Sequence, residues 1–422
     1  MTSSLRMKTR LTAATLGVLG AAAIVASVGV TTSAYVDSTY ARTDSLSVQA
    51  VAPFQPGLAR NSRMVDTGIA LGNNGNVYVW GLTGLAINGG AGNPGGQRAP
   101  QQVPLPGGQI KQIASGIYNA NALAADGTVY GWGLYPQRDG TDASKPNDNP
   151  RQIRIGTAWT GTGPVLDQIL SISSTENAGA GIRADGSIWN WGEPVGYGGN
   201  SGPGASKVAG LPDPSVAGNR PVYLKGAYTN FFTILENGDV YYWGGAGSNS
   251  LPPGTAQSTN AALVTALSPW MKKNVASGAP YITAVDGGIG MGAATLSNGN
   301  VLSWGSNASR TGRGLPTSPA MIPSLSNISS MQFGYTGATF ITPDGTLWGY
   351  GASDDYGQLP VLPVVMDTNV SQFAAGQGYY LWQRQNGTYW GRGYNPQGAI
   401  GLPVGTQTAN RQISWDLSFA SR

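Results

Sequence analysis

The sequence predicts an all-β chain folded as a seven-bladed β-propeller, and three observations predict it. A composition rich in glycine (64 residues) and aromatics (9%) but poor in charge (10%) suits many short strands and turns. One hairpin pattern recurs seven times along the 422 residues. Within the copies, large apolar side chains occupy both faces of the same strand, so that strand has to lie between two other layers.

The copies are anchored on an Asx-Gly pair. They read N-N-G-N-V-Y-V-W-G from Asn73, A-D-G-T-V-Y-G-W-G from Ala125, A-D-G-S-I-W-N-W-G from Ala184 and E-N-G-D-V-Y-Y-W-G from Glu236. The others are S-N-G-N-V-L-S-W-G from Ser297, P-D-G-T-L-W-G-Y-G from Pro343 and Q-N-G-T-Y-W-G-R-G from Gln385. In every copy a second glycine follows the first by six residues, whereas successive copies lie 42 to 61 residues apart. A rigid motif on elastic connectors is the signature of a repeated structural unit.

Asx-Gly predicts a tight type I′ turn with two positive-φ residues. This assigns Gly75, Gly127, Gly186, Gly238, Gly299, Gly345 and Gly387 to the repeat turn. Short apolar strands such as Ala120–Ala124 and Phe231–Leu235 lead into it. After it, alternation sends Val77, Val129, Ile188, Val240, Val301, Leu347 and Tyr389 to one face. Tyr78, Tyr130, Trp189, Tyr241, Leu302, Trp348 and Trp390 go to the other. Five residues past the glycine stands Trp in five copies, with Tyr350 and Arg392 in the last two. Trp80, Trp132, Trp191, Trp243, Trp304, Trp348 and Trp390 are therefore expected in the core between blades. Removing such a tryptophan should cost about 3–5 kcal/mol through the cavity left behind.

Further strands precede the hairpins: Ile110–Gly116, Ile282–Gly288, Ile328–Gly334 and Val370–Gly376, with edges such as Pro100–Val103 upstream. The C-terminal Ala409–Ile413 has the same edge pattern without a following hairpin, so it is expected to return to the first blade and close the ring. A radial stack of small sheets satisfies all these demands at once.

A strand, a D-G turn, V-Y-x-W-G and a loop ending in G-Q-L resemble the repeats of the regulator of chromosome condensation family. The fullest match is Asp344–Gly351 followed by Asp355–Leu359, and the similarity runs from about Asn61 to the C-terminus. The G-Q-L half is loosely kept: copy five has Gly312-Arg-Gly-Leu315 and copy seven Gly398-Ala-Ile-Gly401. The expected organisation is a signal or anchor segment over 1–34, a linker over 35–60 and the propeller over 61–422.

The N-terminus has an export pattern. Arg6, Lys8 and Arg10 precede an apolar stretch from Leu11 to Val30, and Thr32-Ser33-Ala34 offers a small-x-Ala cleavage site, with Thr39-Tyr40-Ala41 as a second. Two readings stay open, a cleaved signal peptide and an uncleaved anchor, since the stretch is long enough to span a bilayer. Thr32–Ser38 is similar to the segment after the apolar stretch in some exported Gram-positive surface proteins. Both readings imply a secreted or surface-tethered protein, in contact with the membrane only through an uncleaved N-terminal segment. Without those three basic residues the net charge of +4 falls to +1, which gives no electrostatic footprint for nucleic acid.

The chain has no histidine and no cysteine. Ser-His-Asp and Cys-His catalysis, the usual zinc sites and disulfides are thereby excluded. No phosphate-binding loop or EF-hand-type calcium loop is present, so no cofactor and no metal is expected. Aromatics outside the repeat are the candidate ligand contacts: Tyr135, Trp159, Trp270, Tyr356 and Tyr394, with the acidic pair Asp354 and Asp355. Two long connectors, 134–177 and 246–280, could build a recognition surface.

The leading functional expectation is a monomeric, non-catalytic interaction protein that binds a protein or a cell-wall or surface glycan through its loops. Resemblance to one secreted relative, the propeller-type β-lactamase inhibitory protein, implies an inhibitor of an extracellular enzyme, although its near-identical repeat loops are absent here. A polysaccharide-active enzyme is the third reading, disfavoured by the missing histidine and the scarcity of acids. The founding family's nucleotide exchange on a nuclear GTPase does not suit an exported chain of this charge.

Overall fold

The computed structural model describes residues 57–58, 67–72, 74–81, 97–105, 110–117, 119–133, 147–156, 163–192, 204–245, 250–305, 317–335, 337–351, 359–360 and 362–413. All belong to one compact unit, Ser38–Arg422. The chain is a seven-bladed, all-β propeller of seven four-stranded antiparallel sheets.

Each blade uses four consecutive strands, here labelled A to D from first to last. The A strands are Gly57–Leu58, Ile110–Ser115, Ile169–Ser174, Pro221–Gly226, Ile282–Gly288, Ser330–Phe333 and Val370–Ala375. The repeated hairpin supplies strands B and C, such as Asn119–Ala124 with Val129–Gly133 and Asn230–Leu235 with Val240–Gly244. The D strands run from Gln97–Gln102 in blade 1 to Gln407–Gln412 in blade 7.

This order corrects two expectations. Gln407–Gln412 pairs with Tyr389–Gly393, so the C-terminal strand completes blade 7, and blade 1 takes Gly57–Leu58 from its own N-terminal side. That strand begins ahead of the boundary expected at residue 61. The connectors 134–177 and 246–280 are not pure loops either. The first contains Asn147–Gln152 and Ile169–Ser174, and the second contains Ser258–Leu263 and two short 3-10 turns, Thr265–Trp270 and Lys272–Asn274.

The repeat turn also differs from the two-residue form. In all seven copies the first glycine's N–H donates to the carbonyl three residues back, as from Gly127 to Ala124 at 3.0 Å. The hairpin closes one residue wider, as from Ala124 N–H to Thr128 O at 2.9 Å, giving a three-residue loop. Only the glycine takes positive φ, for example +86° at Gly127 and +80° at Gly299. The Asx instead caps the turn. Its side-chain oxygen accepts the N–H two residues on in every copy, at 2.8–3.1 Å.

The same glycine has a second task. Its carbonyl accepts the N–H that opens the next blade: Ile110 to Gly75, Ile169 to Gly127, Ile328 to Gly299 and Val370 to Gly345, at 2.8–3.2 Å. At Gly299 a Cβ would lie 2.6 Å from Asn327 Cα, so the turn excludes a side chain by packing as well as by φ.

The core lies between blades, not within them. Ile69, Leu71 and Val79 of blade 1 cluster with Ile113, Ala122 and Trp132 of blade 2. The ring closes where Tyr389, Ala399 and Ile400 of blade 7 meet Ala70 and Trp80 of blade 1. The residue five past the turn glycine faces the preceding blade. The indole N–H of Trp80 donates to Ala399 O (2.7 Å), that of Trp191 to Asn121 Oδ1 (3.0 Å) and that of Trp304 to Ser250 O (2.9 Å). In three copies the indole lies over a glycine of the paired strand, as Trp304 does over Gly292. Phe231 stacks on Trp243 with centroids 5.2 Å apart, and Phe340 on Tyr350 at 5.4 Å.

Trp80, Trp132, Trp191, Trp243 and Trp304 are buried, whereas Trp348 and Trp390 are only half-buried. The last two stand three residues past the glycine, on the same strand face as Tyr350 and Arg392 but two residues nearer the turn; Tyr350 and Arg392 hold the interblade slot in their blades. Arg392 sits opposite Tyr380, and burial pulls its guanidinium below the usual range, with Tyr380 opposing the shift. In the densest aromatic copy, Val240, Tyr242 and Trp243 are buried and Tyr241 is half-buried.

Candidate functional site

Strand alternation gives the blade stack two unlike ends. One carries the seven Asx-Gly turns. The other carries the A–B turns together with the second repeat glycine, as the pairs Ala178 with Gly192 and Asn230 with Gly244 place it.

At the Asx-Gly end the polar groups are occupied locally. Hydrogen bonds from Thr342 and then Thr346 hold the Asp344 carboxyl below the usual range, and Thr128 does the same for Asp126. Blades 3 and 7 add a matching staple. Arg384 binds both Asp367 oxygens (2.9 and 2.8 Å) and lies 3.9 Å over the Trp390 ring, whose N–H donates to Thr388 Oγ1. Arg183 likewise binds Asp167 (2.7 Å) and lies over Trp189, whose N–H donates to Ser187 Oγ. These groups fasten each connector to its hairpin.

At the A–B end one closing backbone bond recurs, as from Thr175 N–H to Ala178 O and from Ala227 N–H to Asn230 O, while the turn side chains vary. Three of its turns bring together Glu176 (blade 3), Tyr228 (blade 4) and Tyr335 (blade 6). Glu176 N–H donates to Tyr228 O (2.8 Å), and Tyr335 is bracketed by bonds to Ile289 (2.8 Å) and Gly376 (3.3 Å). The Tyr228 and Tyr335 rings meet edge to face, 5.3 Å between centroids at 84°. The Tyr228 hydroxyl is hydrogen-bonded with the Glu176 carboxylate and with Tyr335. Burial first, then the Glu176 charge, drive the Tyr228 phenol well above its ordinary range, so it stays protonated.

Glu176 is 9% exposed, while both tyrosines are half-buried. Beside it, Asn177 is 1% exposed and its Oδ1 has no hydrogen-bond partner in the protein. Asn119 Nδ2 steadies the turn from blade 2 through Thr175 O (3.3 Å) and Glu176 O (3.1 Å). On the A strands beneath, Lys225 approaches Asp286 at 3.4 Å, both nearly inaccessible. The arrangement sets a nearly buried carboxylate beside two half-buried phenols, groups that can accept hydrogen bonds and contact cations.

The candidates read from the sequence do not converge. Trp270 closes the 3-10 turn Thr265–Trp270, half-buried against the core of blades 4 to 6 at the Asx-Gly end. Tyr394 lies at the other end, half-buried, with its N–H donating to Gly378 O (2.8 Å). Tyr135, Trp159, Asp354, Asp355 and Tyr356 lie outside the described residues. Glu176, Tyr228 and Tyr335 are not among the sequence candidates, which lie in the longer connectors. Their signal is a shared place, the second residue of the short gap between aligned strands A and B. Among the described residues no three His, Cys, Asp or Glu side chains come together.

No family model matches the chain. It is 29% identical over 154 residues to Protein RCC1 of Candida albicans, an alignment that covers 33% of this chain and 32% of that protein. It is 24% identical over 270 residues to Protein pim1 of Schizosaccharomyces pombe, covering 56% of this chain and 45% of that one. The chain thus spans less than half the length of these curated relatives. Among solved structures, yeast RCC1 (Prp20), determined with Kap60 bound, superposes with a TM-score of 0.67 at 18% identity over 89% of this chain and 88% of that one. That likeness shows the shared propeller.

Proposed function

We propose that this chain is a non-catalytic, exported interaction protein that binds a protein partner through the A–B end of the propeller. The observation that carries the reading is the meeting of Glu176, Tyr228 and Tyr335 from equivalent turns of three blades, at one end of a repeated scaffold. A rigid ring presenting unlike side chains at one end suits recognition, and the chain lacks the histidine and cysteine of common acid–base and nucleophilic sites. The Kap60 bound to yeast RCC1 favours a protein over a glycan as partner class. The basic, apolar and small-residue succession from Arg6 to Ala34 supports export.

The test is fractionation of cells producing the full chain with a C-terminal tag, followed by cross-linking and capture from each fraction. The expected result is recovery outside the cytoplasm with a discrete protein that is lost in Tyr335→Ala and kept in Gly387→Ala. Cytoplasmic recovery would overturn the exported part. Retention of the partner in Tyr335→Ala, or capture by polysaccharide alone, would overturn the assigned surface or partner class.

A further inference from the structure

We infer that residues 414–422 fold back over the D strand of blade 6 and cover the apolar strip Leu362, Val364 and Val365. This strap is independent of the protein-binding reading above.

The D strands are the outermost of each blade, and most are polar. They read Q-R-A-P-Q-Q in blade 1, N-D-N-P-R-Q in blade 2 and Q-T-A-N-R-Q in blade 7, with arginine or proline that discourages pairing at an open sheet edge. Blade 6 departs from this. Its D strand Val364–Asp367 reads V-V-M-D, and Leu362 and Pro363 stand just ahead of it. Leu362, Val364 and Val365 are 59%, 37% and 49% exposed, half of the six large apolar side chains exposed among the described residues. Among the described residues no strand pairs with the outer edge of this strand. An apolar strand with an open edge attracts another strand.

Residues 414–422 carry the complementary pattern. They read S-W-D-L-S-F-A-S-R, with Trp415, Leu417 and Phe419 at every second place and Asp416 and Ser418 between. Such alternation puts the three large side chains on one face of an extended segment and the polar ones on the other. Position favours blade 6. Ile413 N–H donates to Tyr389 O at the end of the blade 7 D strand, and Asn410 Nδ2 donates to Met366 O of blade 6 at 2.6 Å. The two D strands therefore touch, next to Val365. Both run toward the Asx-Gly end, since Gln412 pairs with Trp390 and Asp367 with Leu347. A segment that turns back after Ile413 would thus lie antiparallel to the strip. Extended, residues 414–422 reach about 30 Å, against about 13 Å for a strip over 362–365. Covalent attachment gives an effective concentration on the order of millimolar, which favours this occupant over a second copy or a separate peptide.

The chain has no cysteine, so an introduced pair reports proximity without interference. The experiment oxidises dilute full chain carrying Leu417→Cys with either Val364→Cys or Val365→Cys, and maps disulfides by peptide mass spectrometry. A control pairs Leu417→Cys with Val216→Cys, since Val216 is as exposed (54%) but lies in the connector ahead of blade 4. The expected result is an intramolecular disulfide in at least one strip variant, at least tenfold more abundant than in the control. A second measurement leaves the strip intact. Hydrogen exchange over residues 364–367 should be at least tenfold faster in the triple variant Trp415→Ser, Leu417→Ser, Phe419→Ser than in the unaltered chain. Cross-links between chains would assign the strip to a second copy and overturn the proposal. No intramolecular disulfide, equal cross-linking of the control, or unchanged exchange in the triple variant would each overturn it as well.

Discussion

The two ends of the propeller are built from the same seven repeats, yet they solve different problems. At the Asx-Gly end the Asx caps each turn and the glycine turns it, and in four blades the glycine's carbonyl also starts the next blade. At the A–B end one backbone geometry recurs, while the side chains at equivalent turn positions vary and bonds run between the turns of different blades. Repetition of the first kind sets blade-to-blade geometry. Variation of the side chains at equivalent turn positions makes the second end unlike from blade to blade. The comparison predicts that repeat positions govern stability without altering ligand binding, while Glu176 and its tyrosines do the reverse.

The largest effect is expected at the interblade slot. Trp304 is buried, lies over Gly292 and donates to Ser250 O of the preceding blade. Trp304→Ala should therefore destabilise by about 3–5 kcal/mol. Trp348, half-buried and three residues past its glycine, should cost about 1–2 kcal/mol when cut to Ala, since only part of its area leaves water. Chemical denaturation of both variants checks the ratio. Equal losses would mean that the half-exposed column is as much a part of the core as the slot.

Smaller, and sharper as a test of the Asx-Gly end, is a pair of glycine substitutions. Gly299 and Gly387 have nearly the same φ, +80° and +82°. A Cβ at Gly299 would press on the start of blade 6, whereas one at Gly387 meets nothing within 4 Å. The backbone penalty of roughly 1–2 kcal/mol is common to both, and the packing conflict of about 1–3 kcal/mol belongs to Gly299→Ala alone. Thermal melts should place Gly299→Ala well below Gly387→Ala. Coincident melts would show that the close approach of the Gly299 turn to Asn327 does not constrain that position.

Most of the architecture was legible because it repeats. Seven hairpins with a fixed six-residue spacing and apolar side chains on both strand faces require stacked blades. What failed were details that depend on neighbours. The Asx-Gly pair implied a two-residue turn, but Ala125 and its counterparts join the loop, which moves the Asx from a positive-φ position to a cap. Trp348 and Trp390 matched the composition of the core column, yet they stand two residues short of it, nearer the turn, where they are only half-buried. Ala409–Ile413 looked like a strand needing a partner, and the partner was the strand immediately before it. The A–B cluster has a periodic position but not a periodic chemistry: residues 176, 228 and 335 are each the second residue of an equivalent A–B turn. That they meet across blades 3, 4 and 6 is set by the ring and not by any one turn.

The smallest expected effect separates charge from shape at the Asx-Gly end. Four copies use Asn at the capping position and three use Asp, at 126, 185 and 344, with the same hydrogen bond to the N–H two residues on. If shape is what the turn needs, Asp344→Asn should change stability at neutral pH by no more than about 0.5 kcal/mol, as at an ordinary surface position. Acid should reveal the difference. The Asp344 carboxyl is held below its usual range by Thr342 and Thr346, so its folded-state pKa is depressed. A depressed carboxylate contributes stability above its unfolded pKa, about 3.9, and loses it as pH falls through the lower folded value. Asp344→Asn should therefore remove a small part of the stability loss seen below about pH 4, and leave the curve above it unchanged. Denaturation midpoints of the two proteins from neutral pH down to about pH 2.5 check it. Midpoints that diverge at neutral pH would show that the charge, and not the cap geometry, holds this turn.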